Sequence, residues 1–558
     1  MAAMENGPDG ILEGNVLVAQ SGGPTVVINS SLAGVIQESL NHSCIGEVYG
    51  ALHGLRGIVG GQLVDLAEES QHVIRGLRHT PGTALGSCRF RFQPSDVESA
   101  FHVFEAHNIR YLFFIGGNGS QIAVQALVAH AAATGYRMRA IGVPKTIDND
   151  LAITDHSPGY GSVVKYVATT AREIAIDDQS MGDYNLVSIV EVMGRDTGWI
   201  AAGSVLARHM GTPFDAPQLI YIPERPFNDG EFLTSVQRVL ESNRYCLVVV
   251  SEGLRNASGD YVRTSGIKDP LGRTELGGAA EHLQFLVEQH LKIKARTTKL
   301  GIAQRAAAHC ASLRDNEEAF QCGIKAVRAA VAGATGKMVT IVRENDSPYT
   351  VSYALADLAE VAGKVREFPA AWIDGSGTMI SSNFFRYVSP LIQGEVEVPY
   401  KGGLAEYVHL QGVKQFEMAA RLWLYPSIPP VGRAPGATGG GLEGRPGPFG
   451  GPAPSFASPN YRCYGTPWAG DWQRGAAAPF ETSPRGAVPP STGGPVLGVM
   501  TVASGTAIAR TAIRIFANFP AHFPLTETAG GANLPHGRIF HGAGSFPVPA
   551  ARLLFSHR

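Results

Sequence analysis

The densest chemistry in the chain lies in Pro144-Lys145-Thr146-Ile147-Asp148-Asn149-Asp150, where two carboxylates, an amide, a hydroxyl and one ammonium share seven positions. Carboxylates two apart can divide the labour of phosphoryl transfer. One accepts a proton from an attacking hydroxyl while the other helps to hold a divalent cation. The same residues could instead cap a following helix, since Asp and Asn are favoured there, leaving the lysine as an ordinary surface charge. The apolar run ending Ile141-Gly142-Val143 puts the segment at the carboxyl end of a strand, where open α/β sheets bind their ligands.

Three other segments converge on the same chemistry. Gly14 to Pro24 is an apolar run that breaks into Ser21-Gly22-Gly23, followed by helical spacing from Val26 to Gln37. Paired glycines at such a junction let a phosphate approach backbone N–H groups near a helix N-terminus. Tyr111 to Ser120 repeats the design, with a buried-strand pattern delivering Gly116-Gly117-Asn118-Gly119-Ser120. Val187 to Arg195 delivers an arginine just past a glycine, a placement suited to a phosphate. Taken singly, each glycine turn could serve geometry alone and the arginine could be a solvated charge.

The elements that must position these residues are legible as alternation. Val16–Gln20, Tyr111–Ile115, Ala140–Val143, Leu186–Val192, Leu219–Ile222 and Cys246–Val250 read as buried strands, and Val163–Asp177 and Glu281–Lys292 have helical spacing. Strands alternating with helices predict a doubly wound α/β fold with mainly parallel sheets.

The ordered set of motifs resembles the phosphofructokinase family, whose members use either ATP or pyrophosphate. The family's S-G-G, G-G-D-G-S, T-I-D-N-D, M-G-R, E-G and L-G-x-x-Q-R elements match Ser21 to Gly23, Gly116 to Ser120, Thr146 to Asp150, Met193 to Arg195, Glu252-Gly253 and Leu300 to Arg305. The likeness extends over roughly residues 14 to 400. It implies two doubly wound domains with the active site in the cleft between them. The catalytic core would span residues 14–414, with 14–155 mainly the phosphoryl-donor half and 156–414 mainly the sugar-phosphate half.

Roles follow from the resemblance position by position. Asp148 would take the proton from the 1-hydroxyl of fructose 6-phosphate, with Lys145, Arg89 and Arg195 offsetting charge on the transferring phosphoryl group. Arg89 belongs to Ser87-Cys88-Arg89-Phe90, which resembles the family's arginine-bearing loop. Thr146, Met193, Gly194, Arg195 and Glu252 would hold the sugar, and Arg296 and Arg305 would clamp its 6-phosphate. Gly23, Gly117, Asn118, Gly119 and Ser120 would cradle the donor. Mg²⁺ would be held by Asp150 and Asn118.

Departures from the family pattern bear on the donor. Asn118 stands where many members carry an aspartate, which predicts weaker magnesium binding. Gly119 matches ATP users, whereas Lys145 matches pyrophosphate users. The lysine is a positive commitment to a short donor and the glycine only removes an obstacle, so pyrophosphate is the expected donor and ATP the alternative. A non-catalytic regulatory subunit is a further reading, opposed by retention of Asp148, Asp150, Arg195 and Glu252. Ile302 replaces an aromatic or histidine contact to the sugar phosphate, and Leu186 replaces an arginine that reaches across subunits in tetrameric members. A homodimer is expected.

Composition narrows the remaining classes. The 558 residues, 44% hydrophobic and 17% charged, can bury more than one core, and a formal net charge of -2 gives no electrostatic case for nucleic acid or an anionic membrane. Six cysteines without a CxxC pair suggest neither a zinc site nor a disulfide framework, and point to a reducing, cytoplasmic setting. Met1 to Asn15 lacks the basic start and apolar centre of a secretory signal, and no run is apolar enough to span a bilayer. From Tyr425 onward the chain is rich in Gly, Pro, Ala and Arg and contains no lysine. This composition predicts a largely disordered tail over 425–558, with an apolar island at Val496 to Phe516.

Overall fold

The strands form where apolar runs were too short for helices and rich in β-branched residues. In chain order they are Gly14–Gln20 (β1), Ile45–Ala51 (β2), Leu63–Asp65 (β3), Ile109–Gly116 (β4), Arg139–Pro144 (β5), Val187–Val192 (β6), Leu219–Tyr221 (β7), Cys246–Ser251 (β8), Thr264–Lys268 (β9), Thr274–Leu276 (β10), Ala295–Lys299 (β11), Lys337–Asp346 (β12) and Tyr349–Asp357 (β13), followed by a two-residue pair, Tyr400–Lys401 and Leu404–Ala405. The computed structural model describes residues 11–90, 92–184, 186–208, 215–268 and 272–414. The tail expected over 425–558, with Val496 to Phe516 and Cys463, lies outside the described residues.

Two sheets carry the architecture. The first has the order β13-β12-β5-β4-β1-β2-β3, parallel from β12 to β2, with antiparallel strands β13 and β3 at its edges. The second is all parallel, in the order β11-β6-β8-β7. This is the expected α/β class with mainly parallel sheets.

Both sheets are covered on both faces, which is why their central strands are apolar throughout rather than alternating. In β1, Val16 and Val18 face the helices Ile28–Ser39 and Leu313–Val331, while Leu17 and Ala19 face the helices Pro94–Ala106 and Asn118–Thr134. In the second sheet the helix Tyr160–Met181 packs with Val190, Val192, Leu247 and Val249, and the helices Asp229–Ser242 and Ala279–Leu286 pack on the opposite side.

One expected boundary is crossed by the chain. A division at 155/156 assigned everything beyond it mainly to the second half, but the helix Leu313–Val331 and the β12–β13 hairpin return to the first sheet. β12 pairs with β5 at Lys337–Ile141 and Met338–Gly142, covering an edge that would otherwise leave β5 unpaired. The hairpin was not among the strands expected from the sequence.

Candidate active site

One side of the site is a set of turns stacked at the carboxyl ends of β1, β4 and β5. Ser21 donates its N–H to Ile115 O at 3.0 Å, joining the ends of β1 and β4. Gly22 adopts φ +81°, a conformation that costs glycine nothing and a side chain much. Lys145, 2% exposed, donates from Nζ to Gly23 O at 2.8 Å, so its ammonium forms the floor beneath the glycine turn. Burial pushes this lysine down to about 8, against the opposing pull of Asp148 and Asp150. Ser87 Oγ donates to Gly22 O at 2.7 Å, which ties the loop carrying Arg89 to the same turn.

The helix Asn118–Thr134 opens directly after Gly117, and no side chain caps it among the described residues. Its first N–H groups and its dipole therefore face the same space. Gly119 is exposed there, and a Cβ added to it would meet nothing within 4 Å.

The turn that carries Asp148 and Asp150 follows β5 and is over-determined. Asp148 N–H donates to Thr146 Oγ1 at 3.1 Å, and Asp148 O accepts from Thr197 Oγ1 at 3.1 Å. Asn149 sits between the two carboxylates at φ +53° and is fully buried. Its amide donates to Tyr387 Oη at 3.2 Å and accepts from Ser157 N–H at 3.0 Å, so it holds the turn rather than facing solvent. Asp150 O accepts from Arg366 N–H at 2.8 Å. Burial, then the neighbouring charges of Asp150 and Glu252, pushes the Asp148 carboxyl up to about 7. Asp150 is also raised, by burial, with a hydrogen bond from Thr146 opposing.

The other side comes from the ends of β6 and β8. Gly194 adopts φ +133°, and a Cβ there would lie 2.6 Å from Thr197 O. Its carbonyl accepts from Ser251 Oγ at 2.5 Å. Met193 N–H donates to Gln304 Oε1 at 3.2 Å, and Glu252 N–H to Val192 O at 2.9 Å. Arg195 reaches from this turn to Thr274 O on β10, at 2.5 Å. Burial, then Glu191, raises the Glu252 carboxyl, with Arg195 and Arg305 opposing.

Arg305 joins the two sides. It ends the single turn Gly301–Arg305 after β11, and its Nη1 would lie 2.9 Å from a Cβ placed on Gly23. Burial and the nearby charge of Arg89 lower its proton affinity, while Asp148 and Glu252 raise it. Carboxylate, ammonium and guanidinium groups thus converge between two glycine turns and an uncapped helix start, an arrangement suited to moving a phosphoryl group between two oxygens.

Residues 15–330 match the phosphofructokinase family profile. The chain belongs to the phosphofructokinase family. It is 40% identical over 409 residues to the pyrophosphate–fructose 6-phosphate 1-phosphotransferase of Methylococcus capsulatus, covering 72% of this chain and 96% of the relative. Among solved structures it resembles the pyrophosphate-dependent phosphofructokinase of Marinobacter aquaeolei, with TM-score 0.65, 40% identity and coverage of 72% and 96%. The pyrophosphate-dependent phosphofructokinase of Nitrosospira multiformis is similar too, with TM-score 0.66, 38% identity and coverage of 71% and 96%.

This phosphofructokinase brings together most of the residues singled out from its sequence, but not all. Arg296 is the exception among the cations. It is exposed on the edge strand β11, opposite Ser188 near the start of β6, with its guanidinium 5.9 Å from the Tyr184 ring. The site gathers at the far end of β6, so Arg296 stands at the other end of β11 from it. Asn118 differs from expectation as well. Its Nδ2 donates to Lys364 O and its Oδ1 accepts from Gly363 N–H, both at 2.6 Å, so the amide is engaged by a loop at both ends. Ile302 is 69% exposed beside Arg305, and Leu186 packs against the core of the second sheet.

Four contributors escaped the sequence reading. Thr197 and Asp196 act on Asp148 through a hydrogen bond and a like charge, and Arg366 and Tyr387 anchor the turn from more than 200 positions away. Thr197 and Asp196 stand just past Met193-Gly194-Arg195, which was the available signal. No local pattern flags the other two.

Proposed function

We propose that this phosphofructokinase transfers the terminal phosphoryl group of pyrophosphate to the 1-hydroxyl of fructose 6-phosphate. Asp148 takes the hydroxyl proton as that oxygen bonds to phosphorus, the bridging P–O bond breaks, and orthophosphate leaves. A carboxyl held near neutrality by burial suits a general base, because it is ionised at working pH yet still holds a proton well. Lys145, Arg89 and Arg195 offset charge on the transferring group. Glu252, Met193, Gly194 and Thr146 orient the sugar, and Arg305 pairs with its phosphate. Gly23, Gly117, Gly119 and Ser120 present the donor cradle. On this reading the first sheet mainly holds the donor and the second mainly the sugar.

The observation that carries the donor assignment is the Lys145 ammonium, buried under Gly22 and Gly23 and tied to Gly23 O. A cation fixed at that depth fits a compact, highly charged donor. The names of the relatives support the same reading. The open space over Gly119 favours ATP as the second reading, because nothing there obstructs a longer donor.

Mg²⁺ fits the residues present at one position. Asp150 Oδ1 is buried and has no hydrogen-bond partner among the described residues, a state a cation would relieve. Asp150 would hold the ion, which would supply charge neutralisation on the donor oxygens. Asn118 suits this role less well, because both amide atoms are engaged by Gly363 and Lys364.

Arg296 would serve a sugar phosphate only if that ligand were held by a second copy, consistent with a homodimer. No helix among the described residues is long and apolar enough to cross a membrane, and the free thiols of Cys44, Cys88, Cys246, Cys310 and Cys322 suit a reducing cytoplasm. The reading is tested by incubating the purified chain with fructose 6-phosphate, magnesium and pyrophosphate, and following phosphorus by NMR. Fructose 1,6-bisphosphate and orthophosphate should appear in equal amounts. Hydrolysis of pyrophosphate without sugar phosphorylation would overturn the reading.

A further inference from the structure

Behind the catalytic turn lies a buried charge cluster that the transfer itself does not use. His156 is 1% exposed and places both ring nitrogens against carboxylates, Nδ1 at 2.8 Å from Asp155 Oδ2 and Nε2 at 2.6 Å from Glu318 Oε2. A neutral imidazole has one N–H, so it would leave a lone pair facing a carboxylate oxygen. Only the imidazolium satisfies both contacts. The two carboxylates outweigh burial and push His156 up to about 9. Arg343 on β12 adds bonds of 3.2 and 3.0 Å to Asp155, and Tyr349 on β13 donates to Glu318 Oε1 at 2.9 Å. Two cations thus face these two carboxylates, and Arg343 also reaches a third at the edge of the cluster, Asp346 Oδ1 at 3.0 Å.

This cluster is joined to Asp148 by short covalent and hydrogen-bonded steps. Tyr387 Oη donates to Asp155 O at 2.7 Å and accepts from Asn149 Nδ2 at 3.2 Å. Ser157, the residue after His156, donates its N–H to Asn149 Oδ1 at 3.0 Å. Asn149 itself stands between Asp148 and Asp150. The segment 149–157 is therefore a closed loop pinned at its base to the helix Leu313–Val331, which carries Glu318.

We propose that His156, as a buried imidazolium bridging Asp155 and Glu318, is a positioning residue for phosphoryl transfer: it fixes the returning limb of the turn that presents Asp148 and Asp150. The inference rests on the phosphotransferase reading and adds to it a residue that touches neither donor nor sugar. Its mechanical logic is that the base must be held to within a fraction of an ångström, and a misplacement of 1 Å can cost about a hundred-fold in rate.

The test is steady-state kinetics on His156→Gln, Tyr387→Phe and the double variant, each shown to be folded by thermal melting. His156→Gln should lower kcat by roughly ten- to a hundred-fold. KM for fructose 6-phosphate should stay within about two-fold, because all of the proposed sugar contacts except Thr146 follow β6, β8 and β11 and lie outside the turn. Tyr387→Phe should lower kcat several-fold with KM likewise preserved. The two losses should combine to less than their product, since both act through the same turn. An unchanged kcat in either folded variant overturns the proposal, as does a loss confined to KM or fully multiplicative losses. Should His156→Gln fail to fold, Tyr387→Phe decides alone. Wild-type turnover in the same assays tests the underlying reading separately. If the wild type were inactive toward this sugar, hydrogen exchange at residues 148–157 would still report on the turn. His156→Gln should accelerate it, and unchanged exchange would count against the proposal.

Discussion

On the side of the site proposed to hold the donor, the available groups are mostly backbone: the Ser21-Gly22-Gly23 turn, the uncapped start of the helix at Asn118, and a single lysine locked beneath them. On the sugar side they are side chains with charge, and some are held by elements that are themselves exposed. Arg195 is tied to Thr274 on β10, and every residue of its partner strand β9 is exposed. Backbone groups fixed by the ends of buried strands suit a donor whose phosphates are always alike. Charged side chains on adjustable supports suit an acceptor that must be recognised by shape. Between the two stands the Asp148 turn, whose backbone and Asn149 amide are held by Thr146, Thr197, Tyr387, Ser157 and Arg366 while Asp150 Oδ1 has no partner among the described residues.

The largest effect should come from the group that serves both sides. Asp148→Asn keeps the shape but removes the base, and kcat should fall by roughly 10²–10⁴-fold while fructose 6-phosphate binding is preserved. Unchanged turnover would remove Asp148 from the mechanism. The same residue sets the pH response. With Asp148 raised to about 7 and Lys145 lowered to about 8, kcat/KM of the wild type should be bell-shaped, falling below the first value as the base is protonated and above the second as the ammonium is lost. A profile flat from pH 6 to 9 would contradict both assignments. The stability of the substrate-free protein should run the opposite way on the acid side. A raised carboxyl pKa stabilises at low pH, and that contribution is lost as pH climbs through about 7.

Lys145→Gly tests the donor side alone. It should lower kcat/KM for pyrophosphate by about ten-fold or more and shift preference toward ATP, because a desolvated cation next to phosphate is worth roughly 1.5–3 kcal/mol. Equal losses for both donors would mean that the lysine supports structure and not donor choice. Gly119→Asp should act in the opposite direction. The space there is open, so folding should survive, and the carboxylate should repel the extra phosphate of ATP while leaving pyrophosphate turnover within about two-fold. The smallest effect is expected at Asn118. An aspartate there could not donate to Lys364 O, so a few-fold loss in donor kcat/KM is expected. Tighter magnesium binding instead would restore a metal role to that position.

The same division explains what the sequence disclosed. Apolar runs and glycine pairs announce strands and their turns locally, so β1, β4, β5, β6, β7 and β8 were legible, as was the placement of Lys145, Asp148 and Asp150 at a strand end. The motifs also named Arg195, Glu252 and Arg305, whose charges the fold gathers near the same turn. What stayed hidden depends on partners distant in the chain. Arg366, Tyr387 and Glu318 meet the turn only because the chain returns through the helix Leu313–Val331 and the β12–β13 hairpin, and no local periodicity records that return. Arg296 stands apart from that neighbourhood for a different reason. Its motif is close in sequence to Arg305, but an extended strand carries the two to opposite ends of β11 and the turn beyond it.

In the proposed reaction the Asp148 carboxyl faces the sugar hydroxyl that is phosphorylated. A crystal of the protein soaked with fructose 6-phosphate measures this directly. The C1 oxygen should lie within hydrogen-bond reach of an Asp148 carboxylate oxygen, about 2.6–3.2 Å, or be joined to it by one water. A bound sugar whose C1 oxygen points away from Asp148, toward another carboxylate such as Glu252, would contradict the account.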